Sequence, residues 1–263
     1  MIILKIGGSV ITDKTKEGSF RKEVMDALAK NIKKANKEII LIHGAGSFGH
    51  IQAKKYKLDK GYSRKDQLHG FAITHEMVQR LNTLVLKSLQ NAGINAVSIS
   101  PHSVVKLNDH KLAEMNYNMF EEYLEKRFTP VTFGDVVLDK KLSFSICSGD
   151  LLSLELARHF KPKKVIFAID EDGLYTSNPK INKNAKLIES TTINQIEKLS
   201  TSLDAHADVT GGMKGKLEII KNIANLGIDT ILVNGNKPNR LYKVLVEKDA
   251  KSTTICGGKN EKN

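Results

Sequence analysis

The chain has 263 residues, 40% hydrophobic, 27% charged and 6% aromatic with no tryptophan, enough to bury a substantial core as one large α/β domain or two lobes sharing a sheet. No apolar run approaches the ~18 residues of a membrane span, and the start MIILKIGGSV carries neither a basic leader nor a cleavage site, so no membrane partner is expected and the expected home is the cytoplasm. The formal net charge of +12 would permit nucleic-acid binding, but the lysines are dispersed without interleaved aromatics. No nucleic-acid partner is expected, and small anionic ligands account for the charge equally well.

Cys147 and Cys256 lie far apart with no CxxC partner, which argues against a disulfide framework or a structural zinc site.

Residues 1–6 predict a buried strand that runs into Gly7, Gly8 and Ser9. Lys5 sits among Ile3, Leu4 and Ile6, where burial without a partner costs several kcal/mol, so an anionic partner is expected for it. Lys14, Thr15 and Lys16 read as a polar loop. Val24, Leu28 and Ile32, with Ala29 and Ala35, recur at helical spacing and predict a helix over 21–36 that returns the chain to a parallel strand at Ile39.

That second strand opens the stretch IILIHGAGSFGH, residues 39–50. Gly44, Gly46 and Gly49 permit positive φ and let a ligand approach main-chain N–H groups. A strand, a glycine loop and a helix starting in HIQAKKYKL together predict a phosphate site. The same letters match GxGxxG, the mark of an NAD-dependent oxidoreductase. That fingerprint wants an acid about 20 residues on at a strand end. Asp66 is the candidate, and no strand precedes it.

Residues 71–90 place Met77, Val78, Leu81, Leu84, Val85 and Leu89 on one face of a long helix. His75 and Glu76 suggest HExxH, but Gln79 follows at the wrong place and no zincin is expected. A short strand at 96–99 precedes a less regular region, a helix at 115–126 and a strand at 128–133 that ends in Gly134-Asp135. A hairpin around Asp139, Lys140 and Lys141 leads into a strand at 143–147 that ends in Ser148-Gly149-Asp150. A helix over 151–160 turns Leu152, Leu156 and Ala157 inward, with Asp150 in its first turn.

A lobe boundary is expected near Pro162. The strand 164–169 then runs into Asp170-Glu171-Asp172-Gly173, whose glycine comes too early for a calcium loop. The stretch from Asp208 to Lys216 opens a helix whose core face carries Leu217, Ile220, Ile223 and Leu226. Residues 229–234 predict a strand, 241–246 a helix and 252–256 a last strand.

Taken in order, KIGGSVI, HGAGSFGH, GDVV, SGD, DEDGLYT with NPK, and DVTGGMKGK resemble the amino acid kinase superfamily. The branch they resemble is the isopentenyl phosphate kinases, over residues 1 to about 256. The resemblance implies an α/β fold, an open αβα sandwich with a mainly parallel central sheet. It also implies an acceptor-binding lobe over 1–162, an ATP-binding lobe over 163–263, and a homodimer. The implied reaction is ATP-dependent phosphorylation of isopentenyl phosphate. Magnesium would be carried by the nucleotide, with no dedicated metal site on the protein.

The resemblance also implies residue roles. Lys5 and Lys216 would flank the transferring phosphoryl, Asp150 would orient them, and His50 would hold the acceptor phosphate. Gly44, Ala45, Gly46, Gly49, Gly134, Ser148 and Gly149 would complete the acceptor site. Gly8, Ser9, Lys14, Asp170, Asp172, Gly173, Tyr175, Lys180, Gly211, Gly212 and Lys214 would serve ATP. Glu171 departs from the pattern, which has an aliphatic residue between the two aspartates. By spacing alone, Phe71, Ile73, Met77 and Ile146 are candidates for the slot taking the acceptor's apolar end. A kinase of another small phosphate or phosphonate, such as fosfomycin, fits the same motifs.

Overall fold

The computed structural model describes residues 1–177, 179, 181–196 and 211–258. β1 (Ile2–Ile6) is buried at all five positions and pairs in parallel with β2 (Ile39–His43) on one side. On its other side it pairs in parallel with β9 (Lys164–Ile169). Burial of both faces explains why these strands read as continuous Ile/Leu/Val runs without alternation. The sheet has eight strands in the order β10-β12-β11-β9-β1-β2-β6-β3. Its other members are β3 (Ala96–Ser98), β6 (Thr129–Phe133), β10 (Ser190–Thr191), β11 (Asp229–Asn234) and β12 (Ser252–Ile255). Every pairing in it is parallel except β11 with β12.

Nine helices are described: α1 (Gly8–Ile11), α2 (Lys22–Ala35), α3 (Gly46–Lys55), α4 (Asp66–Asn91), α5 (Pro101–Val104), α6 (Asn118–Glu125), α7 (Gly149–Phe160), α8 (Gly211–Asn225) and α9 (Pro238–Leu245). Alternation along β1 divides the core between the two faces of the sheet. Ile2, Leu4 and Ile6 pack with Leu28 of α2, Leu81 of α4 and Leu241 of α9. Ile3 packs on the opposite face with Phe120 of α6, Leu156 of α7 and Ile220 of α8. This is the expected αβα layering. Two helices stop where a left-handed residue closes the last turn: Asn36 at φ 47° after α2, Lys161 at φ 45° after α7.

A second sheet of four strands, in the order β5-β4-β7-β8, joins the hairpin expected around Asp139 to two strands in the region expected to be less regular. It holds β4 (Val105–Asn108), β5 (Lys111–Met115) and the hairpin β7 (Asp135–Asp139) with β8 (Ser143–Cys147). The helix expected over 115–126 therefore starts later, because Met115 closes β5 against Val105. Two side chains expected in the core lie outside it. Leu84 is 36% exposed because the buried stripe of α4 runs through Leu81, Val85 and Leu89. Leu226 is 40% exposed because α8 ends at Asn225 and Leu226 begins the turn to Gly227. No described helix is long and apolar enough to cross a membrane.

Asp139 holds the second sheet together. Its carboxylate accepts the backbone N–H groups of Asp109, His110, Lys141 and Leu142 and the hydroxyl of Ser145. Burial opposes ionisation there, but those donors outweigh it and hold the carboxyl far below its ordinary range. Its stabilising effect is therefore present above the ordinary carboxylate range and lost only as pH falls through the depressed value. Asp139→Ala is expected to lower the free energy of unfolding by about 3 kcal/mol, read as the urea midpoint, because it removes five hydrogen bonds at once and orphans the buried Ser145 hydroxyl. An unchanged midpoint would show that the hairpins hold without it.

Candidate active site

Gly8 and Gly44 follow the carboxyl ends of the adjacent strands β1 and β2, and their turns touch backbone to backbone. A Cβ on Gly8 would lie 2.6 Å from Gly46 Cα, and one on Gly44 would lie 2.6 Å from Gly8 N. No side chain fits between them. Thr12 fastens the contact: its hydroxyl donates to Gly8 O at 2.7 Å and accepts from Ser47 N at 3.0 Å. Gly46, at φ +53°, has the backbone that favours glycine. The glycine run is itself the first turn of α3, so that helix begins four residues before His50. Gly49 has a different role, since a Cβ there would meet Val78 of α4 at 3.0 Å.

The starts of α1, α3 and α7 border one cavity of about 560 Å³. Ser148 caps α7, its Oγ accepting from Leu151 N at 3.1 Å. Helix starts offer unpaired N–H groups and positive potential, so this end of the sheet suits an anion. Lys5 enters the cavity from β1, beside Gly149; a Cβ at Gly149 would lie 3.0 Å from Lys5 Cε.

The partner expected for Lys5 is Asp150. Lys5 Nζ lies 3.2 Å from Asp150 Oδ1, and Lys216 Nζ donates to both carboxylate oxygens at 2.9 and 3.0 Å. Both ammonium groups also lie over the Phe167 ring, 5.8 and 5.4 Å from its centroid. Burial, partly offset by Asp150 and reinforced by Lys216, lowers the Lys5 pKa to about 8. Burial opposes ionisation of Asp150, yet the two lysines hold its pKa below the usual value. Crowding at the rim, followed by the charges of Lys5 and Lys14, lowers the pKa of His50. Lys14 Nζ reaches Asp170 at 2.9 Å.

Most of the sequence-predicted site residues meet at this cavity. Lys5, Gly8, Ser9, Lys14, Asp170 and Lys216 line it on one side. Gly44, Ala45, Gly46, Gly49 and His50 line it on another, with Gly134, Ser148, Gly149 and Asp150 between. Asp172, Gly173 and Tyr175 are not among its lining residues. The Asp172 carboxylate is taken up by Asn234 at 2.7 Å, Arg240 at 2.5 Å and Lys251 at 2.8 Å. These partners outweigh its burial and lower its pKa to about 2. Gly173 packs on Thr253, and Tyr175 bridges to Leu187. Glu171 is half-buried in the bend after β9. Lys180 lies outside the described residues, and Gly211, Gly212 and Lys214 stand in the first turn of α8, where the backbone is described.

The slot expected from spacing is corrected. Of Phe71, Ile73, Met77 and Ile146, only Ile146 lines the cavity; Thr74 and Val78 supply the wall from α4, with Ala53 and Val136 opposite. Met77 packs on the core with Leu81, on the face that the helical spacing gave both, and so does not line the slot. His43 was legible only as a strand residue. Its buried ring stacks on Phe133 at 5.1 Å, and its Nδ1 lies 3.1 Å from Gly44 O, at the start of the glycine run. Burial drops its pKa to about 4, so it stays neutral and donates to that carbonyl.

The sequence model of the amino acid kinase family matches residues 1–234. The chain belongs to the amino acid kinase family. Among its relatives in that family, the isopentenyl phosphate kinase of Methanothermobacter thermautotrophicus is 35% identical across 98% of this chain and 99% of its own length. That of Methanocaldococcus jannaschii is also 35% identical, over 94% and 95% of the two chains. A crystal structure of an isopentenyl phosphate kinase superposes with a TM-score of 0.85 at 32% identity, covering 97% of this chain and 100% of the other.

The contact between the two glycine turns is directly testable. Gly8→Ala is expected to destabilise this kinase by roughly 1–3 kcal/mol, because the methyl group must push main chain aside. A denaturation midpoint equal to that of the parent would mean that the turns part freely.

Proposed function

We propose that the chain transfers the γ-phosphoryl group of ATP to the phosphate of isopentenyl phosphate, forming isopentenyl diphosphate. The observation that supports this most is the Lys5–Asp150–Lys216 cluster, set among helix starts in a cavity whose far wall is apolar at Ala53, Val78, Val136 and Ile146. Phosphoryl transfer asks little covalent chemistry of a protein. It asks for in-line positioning and for neutralisation of charge on the moving group. Lys5 and Lys216 flank that group in this reading, and Asp150 fixes their spacing. An acceptor phosphate is already an anionic nucleophile, so Asp150 need not serve as a base. Gly8, Ser9, Lys14 and Asp170 serve the nucleotide. The main chain at Gly44, Ala45 and Gly46, with Gly134, Ser148 and Gly149, cradles the acceptor phosphate, and His50 donates a charge-assisted hydrogen bond to it.

Magnesium would be carried in by ATP and would supply charge neutralisation on its phosphates. Asp150 and Asp170 are both engaged by lysines, which suits an ion carried on phosphates and water rather than one caged by protein. In this reading residues 1–162 bind the acceptor and 163–263 the nucleotide, in a cytoplasmic homodimer.

A coupled assay of ATP consumption across isopentenyl phosphate, dimethylallyl phosphate, fosfomycin, N-acetylglutamate and UMP decides the acceptor. The highest kcat/KM is expected for isopentenyl phosphate; a higher value for fosfomycin or UMP would replace it. His50→Ala should raise the acceptor KM roughly 10- to 100-fold, the worth of a hydrogen bond to a charged group, with the ATP KM nearly unchanged. An unaltered acceptor KM would remove His50 from that role.

The lowered pKa of Lys5 gives a second test. The folded state binds fewer protons than the unfolded chain between about pH 8 and 10.5, so folding stability from this group rises with pH across that window. Catalysis moves the opposite way, because the needed charge is lost. The kcat/KM of the wild type should fall above about pH 8, and Lys5→Arg should move that limb upward. A profile flat to about pH 10 would contradict a charged Lys5 in the transition state.

A further inference from the structure

Beside Thr74 and Val78, at a wall of the cavity that includes Asp135, lies a group of side chains to which the proposed phosphoryl transfer gives no role. His75 of α4, His102 of α5 and Asp135 at the start of β7 each place one ligating atom within 4.8 Å of the others. We propose that these three residues form a binding site for a divalent transition metal, with Zn²⁺ the best-suited ion, tying α4, α5 and β7 together beside the acceptor cavity.

Two imidazoles and one carboxylate form a zinc donor set with room for a further ligand. Zinc bonds of about 2.0–2.1 Å in tetrahedral geometry hold ligand atoms roughly 3.3–3.4 Å apart. His75 Nδ1 and Asp135 Oδ2 are now 2.8 Å apart, sharing a proton, so admitting an ion parts them by only about 0.5 Å. The two imidazole rings meet edge to face with centroids 4.1 Å apart and planes at 61°, which lets a nitrogen of each aim at one point. Binding replaces the shared proton, which leaves to solvent, and each ligand donates a lone pair; no redox step is involved.

The surrounding contacts resemble the support that metal ligands need. Val136 N donates to Asp135 Oδ1 at 2.8 Å, which turns Oδ2 toward the histidines. Gln79 Nε2 donates to Ser100 Oγ at 2.9 Å, and that hydroxyl lies 2.7 Å from His102 Nδ1, while Ser103 Oγ lies 3.1 Å from His102 Nε2; an ion takes the place of one of these two hydroxyl contacts and the other orients the ring. The Asp135 side chain is fully buried, while His75 is partly open and His102 is exposed, so an ion has a way in. The three ligands are far apart in sequence and match no spaced motif, which is why HExxH was the only metal pattern visible around His75.

The test uses the full chain, freed of metal by chelator dialysis, then titrated with ZnCl₂ against a chromophoric chelator. One ion per chain is expected, together with a zinc-dependent rise in melting temperature. His102→Ala and Asp135→Asn should each weaken binding by more than about 100-fold and abolish the thermal shift, and Ser100→Ala should weaken it about tenfold. His102 is on the surface, so His102→Ala is expected to fold as the parent does; His102→Gln is the second variant should it not. No zinc bound in the micromolar range would overturn the proposal. So would equal affinity in His102→Ala, which would assign the ion to surface histidines.

Discussion

The Asp150 carboxylate, wedged between the ammonium groups of Lys5 and Lys216, sets three charges in a site largely shut off from water with a net charge of +1. A fold that wanted only stability would not arrange this, since desolvating charges is costly and the surplus positive charge has no internal partner. Burial above all, with the Lys216 charge adding to it, depresses the pKa of Lys5. In the proposed reading, the phosphoryl group supplies the negative charge that completes the pairing. Everything nearby serves to place these three residues. β1 delivers Lys5, α7 delivers Asp150, and α8 brings Lys216 across the top of β9.

Much of this was legible in the sequence because the signals are local. Strand ends followed by glycine, at Gly7, Gly44, Gly134 and Gly149, announce turns that let main chain approach a ligand. The continuous aliphatic runs of β1, β2 and β9 announce a sheet covered on both faces. Lys5 declared its need of a partner by its position alone, and Asp150 answers it.

What was not legible is tertiary. The rotation of α4 is set by which residues meet α2 and the sheet, and a periodicity of 3.6 cannot say whether Thr74 or Met77 faces the cavity. The ion-pair partners of Asp172, Arg240 and Lys251, lie far along the chain, where no local pattern points to them. The small second sheet escaped notice because β4 and β5 are short and half exposed, and Asp139 gathers them through backbone donors that no side-chain pattern reveals. A Cβ on Gly49 would meet Ala45 Cβ at 2.6 Å and Val78 at 3.0 Å, a packing demand that the motif alone does not reveal.

The flanking of β1 by β2 and β9 has a metric consequence. Two hydrogen-bonded strand spacings hold the end of β2 about 10 Å from the end of β9, and that interval is fixed by peptide geometry rather than by side chains. The two loops that we propose face the two phosphates are thus mounted on a ruler that substitution cannot stretch. Changing the walls of the cavity can alter its shape, but the distance between those two loops is written in the backbone.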